Sequence, residues 1–127
     1  MEPGQEAGCA PPVDHRQALV NVAVESWRFA RLFARILTKL DAGEAPRFAS
    51  QLRYYLKCLD YNLEAADLKI VNLEGHLYDP GIAASALNIG DFAPEDVLIV
   101  DQMVEPIIIG ASGLIRPGTV MLQKVPR

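Results

Sequence analysis

The side chains able to do chemistry are few in this chain of 127 residues, and they stand far apart. His15 and His76 fall in different predicted elements, so they form neither a catalytic imidazole pair nor a metal site and read as solvated imidazoles. Cys9 and Cys58 match no zinc spacing and no Cys-x-x-Cys motif; they read as free thiols in a reducing compartment. Asp91, Glu95 and Asp96 flank Pro94 and offer three carboxylates to a calcium ion. They lack the spacing and the closing glutamate of an EF-hand, so the expectation is a solvated turn. Ser26 and Ser112 have no adjacent base and no nucleophile elbow. The loop Gly110-Ala111-Ser112-Gly113 has neither the lysine nor the following helix of a phosphate cradle. This inventory predicts a protein that is not an enzyme, carries no cofactor and no metal, and works by binding.

Composition points the same way. An apolar share of 50% supports a real core, and the length suits one domain or a helical part with a small β part. The net charge of −4 argues against a nucleic-acid partner. Residues 14–64 carry eight Lys/Arg against six Asp/Glu, whereas residues 65–127 carry four against eight, so the second half is the acidic one. No basic, apolar leader and no apolar run of about 18 residues stands in the chain, which predicts a soluble, cytoplasmic protein with no membrane partner.

The elements that position these residues follow from periodicity. Residues 1–13, rich in proline and glycine, read as a disordered leader, and Asp14 as the N-cap of a helix. From Gln17 to Leu40, Leu19, Val22, Ser26, Phe29, Phe33, Ile36 and Leu40 recur at alternating spacings of three and four. A second apolar stripe, Val20, Ala23, Trp27, Ala30, Ala34 and Leu37, runs beside it, with Asn21, Glu25, Arg28, Arg35 and Lys39 on the wet face. Two stripes require at least two neighbours. Gly43 suits the C′ position of this helix, and Pro46 the first turn of the next. The second helix, about Ala45 to Ala66, has its seam at Ala45, Ala49, Leu52, Leu56, Leu59, Leu63 and Ala66, with Tyr54, Tyr55 and Tyr61 as an aromatic flank. So short a link predicts an antiparallel hairpin over 14–66. Because two helices alone cannot bury these seams, two hairpins are expected to pair as a homodimeric four-helix bundle. Leu19, Val22, Phe29, Phe33, Ile36, Leu52, Leu56, Leu59 and Leu63 are the expected dimer contacts.

After Ala66 the period becomes that of strands. Leu68–Leu73, Asp96–Met103, Ile107–Ile109, and Leu114–Arg116 with Thr119–Val125 are predicted strands, separated by glycine and proline turns; Ile82–Ile89 fits a strand or a short helix and is read as a strand from its neighbours. Pro117 inside the last run predicts an edge position or a bulge. The fold class expected is α+β: a helical hairpin followed by a small all-β head over 67–127.

Three pieces of this pattern bear a likeness. Gly75, two spacer residues, Tyr78 and Asp79-Pro80 form the first; the strand Val97–Val100 with Gln102 beyond it forms the second; Leu114-Ile115-Arg116-Pro117 followed by Val120 forms the third. Leu59-Asp60-Tyr61-Asn62-Leu63-Glu64 stands at the end of the second helix before them. In this order they resemble the GrpE family, the nucleotide exchange factors of Hsp70 chaperones, over roughly residues 15–125. The chain departs from that pattern in having Ala83-Ala84 where the family usually has His-Glu, and Met103-Val104-Glu105-Pro106 where it usually has Gly-Tyr. Its first helix is also short, about 25 residues or roughly 38 Å at 1.5 Å per residue. The resemblance implies a homodimeric co-chaperone of the stress response whose head binds the nucleotide-binding domain of an Hsp70 and promotes ADP release. The contacts it implies are Gln102, Met103, Glu105, Ile108, Leu114 and Arg116. A dimeric adaptor with the same fold and no exchange activity is the alternative.

Overall fold

The computed structural model describes residues 14–125. The predicted leader and Cys9 lie outside the described residues. Two helices precede a β region of two three-stranded sheets, an α+β arrangement.

Helix α1 spans His15–Leu37, and the Asp14 carboxylate accepts from the Gln17 N–H at 3.0 Å, the N-cap that the sequence predicts. The helix ends three residues before the expected Leu40. The Thr38 hydroxyl turns back to the Arg35 carbonyl at 2.7 Å, and the next N–H groups tighten onto carbonyls three residues back. Gly43 therefore does not cap α1. It sits in the turn before α2, where one Asp41 carboxylate oxygen accepts from the N–H groups of Gly43 and Glu44, each at 2.9 Å. Helix α2 spans Ala45–Ala65 with Pro46 in its first turn, as expected. Asp67 then takes φ 60, a left-handed position in which its short carboxylate accepts from the Ala111 N–H at 3.2 Å.

Six strands follow: β1 Leu68–Val71, β2 Ala84–Ala86, β3 Leu98–Glu105, β4 Ile107–Gly110, β5 Gly113–Arg116 and β6 Gly118–Lys124. One sheet has the order β1-β4-β5 and the other β2-β6-β3. The predicted strand Ile82–Ile89 shrinks to β2, which pairs parallel to β6, and Ile89–Asp91 forms a 3-10 turn instead. Strand β3 starts two residues later than expected, because Asp96 closes a turn by accepting from the Ala93 N–H at 2.8 Å.

The two interior prolines explain the topology. Pro106 separates β3 from β4, and Pro117 separates β5 from β6; in each case the chain leaves one sheet and enters the other. A residue with no N–H cannot extend a ladder, so the crossings fall where a ladder must break anyway. Pro117 thus marks a crossing from β5, an edge strand of the first sheet, to β6, the central strand of the second. The outer edge of β3 is covered by residues 75–78. Gly75, at φ 87, and Tyr78 donate to the carbonyls of Val100 and Leu98, and Val100 donates back to His76. The motif that carries the sequence likeness therefore has a structural task here: it seals an edge.

Two apolar clusters meet at α1. Val20, Ala23 and Val24 pack with Leu63 of α2 and with Leu68 and Ile108 of the first sheet. Trp27 packs with Leu98, Val100, Met103, Val120 and Leu122 of the second sheet and with Ile107 of the first. The second stripe of α1 is thus the buried one. Gly118 opens β6 tight against its neighbours: a Cβ there would stand 2.8 Å from the Glu105 carbonyl oxygen and 2.9 Å from the Met103 methyl on β3, and 2.9 Å from Ile107 on β4. Gly118→Ala is expected to cost about 1–3 kcal/mol of stability in urea unfolding; an unchanged midpoint would mean that β3 and Ile107 give way at no cost.

Candidate functional site

Strand β3 is bulged on both sides of Met103, between Val100 and Gln102 and between Met103 and Glu105. Bulges leave backbone groups unpaired and turn them out of the ladder. Here they are taken up by side chains. The Trp27 indole donates to the Met103 carbonyl at 2.8 Å, and the Met103 N–H donates to the Glu74 carboxylate at 2.8 Å. The same Glu74 oxygen accepts from Arg31 at 2.6 Å, and the Arg31 guanidinium lies over the Trp27 ring, 5.6 Å from its centre. One turn of α1 earlier, Arg28 pairs with Glu105, which also holds Arg116 at 3.2 Å and Thr119 at 3.4 Å. The β region is therefore stapled to α1 by one buried hydrogen bond and two ion pairs.

This staple decides which of the six predicted head contacts face a partner. Met103 and Ile108 are fully buried core residues and have no surface to offer, which corrects their placement. Their β-branched or flexible apolar character is the same in a core as at an interface, so type alone did not separate the two. Glu105 is half-buried and engaged within the chain, and Arg116 is tied to it. Gln102 is half-buried. Leu114, 53% exposed at the outer edge of its sheet, is the one large apolar side chain of the set that faces solvent. Glu74 and Arg31, which sequence reasoning passed over, and Arg28, which it put on the wet face, carry the joint. The available signal was Trp27 itself, since an indole on a buried stripe needs an acceptor.

The predicted dimer contacts divide in the same manner. Leu63 is fully buried against Val20 within one chain, and Leu19 and Leu59 pack on that cluster, so Leu63 is corrected from dimer contact to internal core. Leu56 is half-buried. The others form an apolar face: Phe29 is 63% exposed, Val22 56% and Ile36 45%. Phe29, Phe33, Leu52 and Tyr55 line an open groove of about 300 Å³ between the helices, and Val22 and Phe29 continue it along α1.

Little else in the described residues resembles reactive chemistry. No group of three or more His, Cys, Asp and Glu side chains gathers among them to hold a metal, and no helix there is long and apolar enough to cross a membrane. The Tyr54 phenol is raised from its ordinary pKa by its hydrogen bond to Cys58, one turn along α2, and by the charge of that thiol when ionised. The Asp60 carboxyl is raised by partial desolvation and then by Glu64, again one turn on. Both shifts are local to the helix surface. Comparison of the chain with protein-family models, with curated proteins and with solved structures found no match.

The staple makes a direct prediction. Glu105→Gln keeps the shape but removes the carboxylate that Arg28 and Arg116 share, leaving Arg28 its exposed neighbour Glu25. It is expected to cost about 1–3 kcal/mol in urea unfolding, a penalty that shrinks as salt is raised; a cost below about 0.5 kcal/mol would place the pair with ordinary surface ion pairs.

Proposed function

We propose that this protein is a homodimeric, GrpE-like co-chaperone whose head binds the nucleotide-binding domain of an Hsp70 and promotes ADP release in the cytoplasm. The observation that carries the reading is the apolar face of the two helices, on which Val22, Phe29, Ile36 and Tyr55 stand exposed together. A contiguous face of this kind is characteristic of an interface rather than of a monomer's surface. The helices pair as an antiparallel hairpin in this reading: Val20, early in α1, shares a cluster with Leu63, late in α2, while Phe29 and Phe33 share a groove with Leu52 and Tyr55. Two such hairpins laid face to face make a four-helix bundle carrying one head on each side. The order of motifs from Gly75 to Val120 adds the likeness to exchange factors.

The head would act by differential affinity. By binding the open-cleft state of an Hsp70 more tightly than the closed, ADP-bound state, it opens the cleft and speeds ADP release, and nucleotide weakens its own grip in return. Leu114 is the apolar contact that this reading uses, with Gln102 beside the staple. A second reading, a dimeric adaptor with no exchange activity, is favoured by one observation: Arg116, the motif's cation, is already held by Glu105.

Stopped-flow release of a fluorescent ADP analogue from an Hsp70 separates the two. Exchange predicts a release rate that rises and saturates with this protein, and a loss of most of the acceleration on Leu114→Asp with the dimer intact. No acceleration across several Hsp70s leaves the adaptor. Phe29→Asp is expected to give a monomer in sedimentation analysis; an unperturbed dimer would refute the four-helix arrangement.

A further inference from the structure

A second surface of the β region is used neither by the helical face nor by the edge at Leu114. Between the turn 78–80 and the 3-10 turn Ile89–Asp91 lies a groove of about 300 Å³, walled by Tyr78, Pro80, Ile89, Phe92, Pro94 and Leu98. Ile89 is 49% exposed on its wall. The groove is held open by fixed bonds. Tyr78 donates its N–H to the Leu98 carbonyl at 2.8 Å. Asn88, just before the 3-10 turn, clamps both backbone groups of Leu122 on the central strand β6, at 3.0 and 2.9 Å. Asp96 closes the far side through the Ala93 N–H and an ion pair to Lys124 at 3.7 Å. A bidentate clamp is thus spent on a turn that presents isoleucine to solvent.

The chain segments that wall this groove carry charge of one sign next to its lining residues. Asp79 stands between the lining residues Tyr78 and Pro80, Asp91 between Ile89 and Phe92, and Glu95 between Pro94 and Asp96. All three are exposed and none has an ion-pair partner among the described residues, although the Asp79 carboxylate accepts from the Gly81 N–H at 2.9 Å. Lys124, the cation joined to this wall, is taken by Asp96.

We propose that this groove docks an extended segment of a partner protein in which one bulky apolar side chain is flanked by lysine or arginine. The apolar wall supplies affinity by removing that side chain from water. The three carboxylates, screened and individually weak, supply the sign of the partner and speed its approach, because complementary charge at an interface rim governs selectivity and association rate. An acidic segment of the same shape is repelled. The inference does not rest on ADP release, and either can fail alone.

The test is a titration of the ¹⁵N-labelled full chain followed by amide chemical shifts, with three synthetic peptides. The first is Lys-Arg-Ala-Phe-Ala-Arg-Lys; the second has glutamate at its four cationic positions; the third has alanine in place of phenylalanine. The first peptide should shift the amides of Tyr78, Ile89, Asp91, Phe92 and Asp96 in a saturable, salt-weakened manner. The alanine peptide should bind about tenfold more weakly, and the glutamate peptide should leave these amides unmoved. Ile89→Ser should weaken the first peptide without altering shifts on the helices, and Asp91→Lys with Glu95→Lys should remove most of its salt dependence. No perturbation by the first peptide at millimolar concentration would overturn the proposal. So would equal perturbation by the glutamate peptide, or shifts centred on the Phe29–Tyr55 face. Concentration-dependent shifts of the groove amides without peptide would also overturn it, by assigning the groove to a second copy of this chain.

Discussion

The hydrogen bond from the Trp27 indole to the Met103 carbonyl, 2.8 Å long and buried, is the contact on which the arrangement of helices and sheets depends. Strand β3 lies at the edge of its sheet and its register shifts around Met103, and the Trp27 indole satisfies a carbonyl there that would cost about 1–3 kcal/mol if left unpaired at that depth. Glu74 takes the remaining N–H of Met103, Arg31 neutralises Glu74 while lying over the indole, and Arg28 repeats the pattern with Glu105. Turning the β region relative to α1 would break these contacts together, so helix and sheets move as one body.

Much of this was legible in the chain. Asp14 and Pro46 mark the helix starts because capping and first-turn chemistry are local. The two stripes of α1 were readable because a period of 3.6 reports which residues share a face. What the period does not report is which neighbour covers each face, and here the answer is divided: sheets and α2 cover Val20, Ala23 and Trp27, while Val22 and Phe29 stay open. The misplaced residues share this cause. Met103 and Ile108 looked like contacts because an apolar strand residue has the same appearance on either side of a sheet. Gly43 looked like a helix terminus because glycine in a short link serves a turn equally well. Pairings such as Glu74 with Arg31 join residues distant in sequence, and no local pattern contains them.

A rigid joint suits the proposed binding role. In the proposed dimer the heads are carried on a bundle whose apolar face is used for pairing, and an orientation imposed on the bundle is imposed on each head. A lever of this kind exerts its differential affinity for one state of a partner only if the head cannot swivel freely on its support. The seal of residues 75–78 over β3 serves the same end, since an exposed edge beside the joint would invite strand pairing with other chains.

Hydrogen exchange at the Trp27 indole tests this central claim most directly. If helix and sheets form one body, the indole N–H is protected like the β3 and β6 core amides, and denaturant lowers its protection with the slope of global unfolding. Exchange of the indole at a rate near that of free tryptophan, while the β6 amides remain protected, would show that the joint opens on its own and would contradict the account.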